Sequence, residues 1–178
     1  MTVIGIDPGY SRTGKGCAIA VLGSELELVH WFFLRPTDLA SVRRFASPVH
    51  VVVEKPQFDG RTPAAMRTTL ELAWQGAAVA YYLAGLHGAD VTEYEPRDWK
   101  GSARKPQHHA EIWRRLFFQR EQEMLGGEAT RQKIDDACKK GALDRWSKAG
   151  ADYYPRSWLT HNILDALGIA MTFAGRMR

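Results

Sequence analysis

Three acidic residues occupy positions where a charge is costly. Asp7 ends the apolar run Thr2-Val-Ile-Gly-Ile-Asp7, Glu54 ends the β-branched run that starts at Val49, and Asp165 interrupts an otherwise apolar segment from Ile163 to Met171. Carboxylates are seldom buried without partners. Two strand ends facing a helix would gather these three into a cluster of like charge, which is costly unless a divalent cation neutralises it. Oxygen donors select hard ions, so Mg2+ is the expected cofactor, with Mn2+ able to substitute. A pair of such ions supports in-line phosphoryl transfer to water. His161 and Asn162 precede Asp165 by four and three residues. On a helix both lie near the Asp165 face, where either supplies a further ligand or positions the attacking water.

A second group is basic. Lys100, Arg104 and Lys105 surround the turn at Gly101-Ser102, and His108, His109, Arg114 and Arg115 follow on or near the next helix. Beside a metal site such cations hold a phosphate backbone or offset charge on a scissile phosphate. In the loops next to the first two carboxylates, Tyr10 and Phe58 are placed to stack on exposed bases, and Arg12, Lys15 and Arg61 to reach phosphates. The net charge of +4 is unevenly spread: from Arg97 to Lys148 there are 13 Lys and Arg against 8 Asp and Glu, while the remainder has 11 against 12. A regional basic excess points to a polyanionic partner.

The elements that must position these residues follow from periodicity and punctuation. At 178 residues, 45% hydrophobic and 25% charged, the chain predicts one folded domain spanning 1–178, not a disordered segment. Only Cys17 and Cys138 occur, which excludes a disulfide framework or a cysteine zinc site and predicts a reducing, intracellular setting. The strand-like opening predicts no leader, and apolar stretches are interrupted well before the ~18 residues that span a bilayer. Strands are expected at 2–7, 16–22, 25–33, 49–54 and 91–94, the first three as a meander. Helices are expected from Thr37 to before Pro48, from Thr62-Pro63 to about Leu86, at Pro96–Lys100, from His108 to about Met124 with Ile112, Leu116 and Phe117 on one face, and from Trp158 to about Ala174. Arg67, Trp74 and the Ala77-Ala78 pair read as core or dimer surface. The segment 126–154 is expected to be an inserted, largely exposed helical element.

Four blocks, in this order, resemble the RuvC family of Holliday junction resolvases within the ribonuclease H-like superfamily. They are Ile4 to Gly9 around Asp7, Val51 to Gln57 around Glu54, Pro96 to Lys100 with Lys105 to His109, and His161 to Ala170 around Asp165. The resemblance implies an α/β fold with a five-stranded mixed sheet flanked by helices, and a homodimer. It also implies Mg2+-dependent paired incision of four-way DNA junctions, with two ions per site and 5′-phosphate products. By position, Asp7, Glu54 and Asp165 look like the family's metal-binding carboxylates and Lys100 and Lys105 like its catalytic lysines, and Phe58 lies near its base-stacking aromatic. The family commonly carries Asp or His three residues before its last Asp. Here Asn162 occupies that place with His161 one position earlier, so the fourth ligand is expected to be His161, Asn162 or water. The insertion is reminiscent of phage and organelle branches. Two other readings remain open at this level: a related nuclease for other branched DNA or RNA/DNA hybrids, and a non-catalytic junction scaffold.

Overall fold

The computed structural model describes residues 1–9, 16–45, 49–57, 62–143, 153–155 and 157–177, with no side-chain description at 142 and 143. Five strands form one sheet: β1 (Thr2–Asp7), β2 (Cys17–Leu22), β3 (Leu28–Leu34), β4 (Val49–Glu54) and β5 (Val91–Tyr94). Their order is β3-β2-β1-β4-β5. β1, β2 and β3 are antiparallel neighbours, and β4 and β5 run parallel to β1. β1 and β2 are buried along their whole length, as expected of central strands covered on both faces.

Pleat parity divides the core. Val3, Ala18, Ala20, Leu22 and Val52 face one helical layer, while Ile4, Ile6, Ile19, Val21, Val51 and Val53 face the other. Successive side chains alternate between the two faces, so Asp7 shares the face of Val3 and Glu54 that of Val52. The pairing of Ile6 with Val53 makes the two strand ends neighbours.

The layer on the Asp7 face is built around α6 (Thr160–Phe173), and the opposite layer is α1 (Pro63–His87). α1 starts where Thr62 Oγ1 accepts the Ala65 N–H at 3.1 Å and ends at Gly88 in the left-handed region, φ 62°. α6 lies very close to β1. A Cβ at Gly5 would collide with the Ala166 carbonyl oxygen and approach Ala170 Cβ at 2.8 Å. Only glycine allows that approach, and it brings Asp165 down to the level of the strand ends.

Several expected elements are corrected. The helix expected from His108 to Met124 is two: α3 (Lys105–Arg114) and α4 (Gln119–Met124), after the short α2 (Pro96–Lys100). The break is made by Glu121, whose Oε2 accepts the N–H groups of Phe117 at 2.5 Å and Phe118 at 3.0 Å. Ile112 and Leu116 are buried as expected, but Phe117 is 56% exposed, because the chain has left the helix there. β3 begins at Leu28, not residue 25: Gly23 to Glu27 close a turn with Leu26 at φ 66°. The segment after Arg35 is a 3-10 helix, Pro36–Ser41.

The helix in the expected insertion, α5 (Gly127–Leu143), is less exposed than its composition suggests. Thr130, Ile134, Ala137 and Gly141 form a buried stripe against α3, while its charged residues occupy the remaining faces. Among the described residues no helix is long and apolar enough to cross a membrane.

Candidate active site

Asp7, Glu54 and Asp165 come from β1, β4 and α6 to one point at the carboxyl ends of the two parallel strands. Asp7 and Asp165 are buried, and the Glu54 side chain is 16% exposed. Each carboxylate has a fixed donor. The Gly9 N–H reaches Asp7 Oδ1 at 3.2 Å, and the Trp99 indole N–H donates to Glu54 Oε2 at 2.9 Å. His109 Nε2 lies 2.8 Å from Asp165 Oδ1, and Lys105 Nζ forms an ion pair with Asp165 Oδ2. Lys100 Nζ stands 3.9 Å from Glu54 Oε2, above the Trp99 ring.

The charges are unequally distributed. Burial pushes the Asp7 pKa up to about 8, with Asp165 and then Glu54 adding repulsion. Burial also raises Glu54, opposed chiefly by Lys100. For Asp165 burial acts upward too, but Lys105 and His109 overcome it and hold the group below the usual carboxylate range. Lys100 and Lys105 thus stand against Glu54 and Asp165, while Asp7, whose own donor is the neutral Gly9 N–H, holds its proton more tightly than an ordinary carboxylate. Among the described residues no group of three or more His, Cys, Asp or Glu side chains forms a ready-made metal cage. The donor set still fits a hard cation: it is all oxygen, and its charge excess is what such an ion relieves.

A pH dependence follows. A folded-state pKa raised from 3.8 to about 8 contributes stability that is fully present below the unfolded value and is lost as pH rises through the folded one. The metal-free protein should therefore melt at progressively lower temperature from about pH 4 to about pH 8 and level off above that, and Mg2+ should restore more at the higher pH. Thermal unfolding in chelator and in Mg2+ across that range checks this; a flat profile in chelator would contradict it.

The other residues singled out in the sequence fall into three groups. Asn162 joins the cluster: a Cβ at Gly9 would lie 3.2 Å from Asp7 Oδ2 and 3.3 Å from Asn162 Cγ, so both side chains border the same small space. His161 instead joins an aromatic group, its ring parallel to Tyr154 at 5.7 Å and tilted on Trp158 at 6.1 Å.

His108 and the arginines are placed differently from a phosphate-contacting row. His108 is 5% exposed, edge-on to Trp99 at 4.9 Å, and burial followed by the neighbouring His109 lowers its pKa to about 4. A buried neutral imidazole presents no charge to a phosphate. Arg104 donates to the Gly141 carbonyl, tying the start of α3 to α5. Arg115 pairs with Glu111 at 2.6 Å and donates to the Arg176 carbonyl, while exposed Arg114 pairs with Glu111 at 2.7 Å. Tyr10, Arg12, Lys15, Phe58 and Arg61 lie outside the described residues.

Trp99, Tyr154 and the role of His109 were missed. One signal was available for His109: it follows Lys105 by four residues, so both reach the same target from one helical face. Trp99 and Tyr154 join the site through contacts spanning 45 residues each, which local pattern cannot reveal.

No family model and no curated protein matches the chain. Among solved structures it is similar to a Thermus thermophilus RuvC structure, with 22% identity, TM-score 0.52, and coverage of 98% of this chain and 93% of that one. A second match is T. thermophilus RuvC in complex with Holliday junction substrate, with 20% identity, TM-score 0.45, and coverage of 98% and 92%. The five-stranded sheet, with its antiparallel first three strands and flanking helices, has the RuvC-like form of the ribonuclease H-like fold.

Proposed function

We propose that this chain is a divalent-cation-dependent, structure-selective endonuclease that resolves four-way DNA junctions by paired phosphodiester hydrolysis, leaving 5′-phosphates. The observation that carries the reading is the convergence of Asp7, Glu54 and Asp165, with Lys105 and Lys100 beside them, at the carboxyl ends of β1 and β4. The ordered motif blocks and the RuvC-like fold support it.

Asp7, Glu54 and Asp165 would hold the Mg2+, with the Asn162 amide oxygen as the added donor beside Asp7. When bound, the cation polarises the phosphate and makes a water more acidic. The chain's own residues do the rest. Trp99 and Gly9 fix the orientation of Glu54 and Asp7, and Lys100 and Lys105 offset the charge that accumulates on the phosphate during attack. Recognition rests on phosphates and junction shape.

Two equivalent strands of a junction call for two equivalent sites, hence a two-fold dimer. α1 offers the surface for it. Met66, Leu70, Trp74 and Tyr81 are 39%, 57%, 66% and 60% exposed and lie along one side of the helix, turned away from its buried residues Val79, Ala80 and Leu83. Trp74→Glu should convert the dimer to a monomer at micromolar concentration, read by light scattering on a sizing column. An unchanged mass would remove α1 from the interface.

End-labelled four-way junction, linear duplex and RNA/DNA hybrid incubated with Mg2+ or Mn2+ test the reading. Junction cleavage alone is expected. Preferential cleavage of the hybrid would assign the related nuclease activity, and tight junction binding without cleavage in either metal would assign a scaffold.

A further inference from the structure

The geometry points to His109, locked by Tyr154, as the positioning residue that fixes which oxygen Asp165 offers to a cation. This rests on the proposed metal-dependent reading of the site. His109 is fully buried. Its Nε2 lies 2.8 Å from Asp165 Oδ1 and its Nδ1 lies 2.9 Å from the Tyr154 hydroxyl. An ionised carboxylate only accepts, so Nε2 carries the hydrogen; in the neutral ring Nδ1 is then an acceptor, and the Tyr154 O–H donates to it. One direction of hydrogen bonding thus runs from Tyr154 through His109 to Asp165 and selects the tautomer.

Tyr154 is itself held. It is 8% exposed, its ring lies over His109 at 5.4 Å and 22°, and it packs on Trp158 at 4.4 Å. Neither ring can turn without losing these contacts, so the plane of the Asp165 carboxyl is set from behind.

The two oxygens of Asp165 are therefore not equivalent. Oδ1 is committed to a buried ring that solvent does not reach. Oδ2 is held by Lys105, whose partly exposed ammonium a divalent cation can replace. His109 leaves Asp165 one oxygen for the metal, and in this chain that positioning accompanies an Asn at 162 in place of a further charged ligand. A partner that orients a metal-binding carboxylate in this way is typically worth about tenfold to hundredfold in metal affinity.

The test uses the full chain with Mn2+ as the probe. Mn2+ binding to the free protein is measured by paramagnetic resonance for wild type, H109A, H109Q and Y154F, alongside thermal unfolding and junction cleavage. His109 ring nitrogens are assigned by 15N spectroscopy. The wild type should show the Nε2–H tautomer. H109A should bind Mn2+ about tenfold to hundredfold more weakly. H109Q, whose amide N–H reaches the Nε2 position, should recover most of that loss, and Y154F should keep the Nε2–H tautomer but loosen the ring, with a loss of a few-fold. H109Q and Y154F nearly keep the buried volume, so they carry the comparison if H109A does not fold. Wild-type Mn2+ affinity and cleavage in a folded H109A, or an H109Q no better than H109A, would overturn the role of His109 alone. Wild-type protein that binds no Mn2+ would overturn the functional reading beneath it.

Discussion

Asp7→Asn should eliminate junction cleavage and at the same time raise the melting temperature of the metal-free protein. The first effect follows from the loss of a carboxylate at the point where β1, β4 and α6 meet; removing several kcal/mol of transition-state stabilisation lowers the rate by roughly a thousandfold or more. The second follows from the charge pattern. Asp7 is buried beside Asp165 and Glu54, has the backbone N–H of Gly9 as its hydrogen-bond donor, and its pKa is pushed to about 8. An isosteric neutral amide removes that repulsion and should stabilise by about 1–2 kcal/mol at pH 8, in the range seen when a functional strain is relieved. Single-turnover cleavage and thermal unfolding in chelator read the two effects on one preparation. Lost activity with lost stability would make Asp7 a structural residue, and retained activity would remove it from the site. Asp165→Asn is less diagnostic, because it also breaks the contacts to Lys105 and His109.

Glu121→Ala should be the most destabilising single change away from the site. Glu121 is 1% exposed, and its two oxygens accept from the N–H groups of Leu28, Phe117 and Phe118 and from Arg176, itself 8% exposed. Arg176 in turn donates to the carbonyls of Leu26 and Arg115 and lies 3.7 Å over the Phe117 ring. One carboxylate thereby closes the β2–β3 turn, ends α3, starts α4 and anchors the chain after α6. Removing one partner of a buried pair strands the other charge and typically costs about 3–5 kcal/mol. At this size that lowers the melting temperature by roughly 6–20 °C. Urea unfolding of Glu121→Ala, Arg176→Met and the double variant measures it. The double should be more stable than the sum of the singles predicts, since no stranded charge remains. A loss under about 1 kcal/mol in Glu121→Ala would mean that water replaces these contacts.

These two residues mark the reach of the sequence. Asp7, Glu54 and Asp165 were legible because each violates an apolar pattern set by its own neighbours. The strands Thr2–Asp7, Val49–Glu54 and Val91–Tyr94 and the long helix were legible for the same local reason, with Thr62, Pro63 and Gly88 as punctuation. Glu121 was not. It lies in a stretch of good helix formers; its Oε2 breaks the helix at Phe117 and Phe118, but what buries and holds the carboxylate is the contact of Oε1 with Leu28 and Arg176, 93 and 55 residues away. The same limit hid Trp99 behind Glu54 and Tyr154 behind His109. His108 and Arg115 were misplaced because a basic stretch was treated as one surface. A helix has a buried side, and α3 turns His108 into the core and Arg115 toward Glu111 and the chain after α6. Asn162 and His161, indistinguishable by spacing, separate in three dimensions: one borders Asp7, the other packs on Tyr154.

Three carboxylates on this fold are expected to cut both equivalent strands of a four-way junction with a divalent cation. A supercoiled plasmid carrying an extruded cruciform tests it in one reaction, because a lone nick relaxes the cruciform and ends the reaction. In Mg2+ the chain should yield linear plasmid, with 5′-phosphates at ends mapping symmetrically to the cruciform base, and Asp7→Asn should yield none. Nicked circles alone, linear product without a cruciform, or equal cleavage by Asp7→Asn would contradict the account.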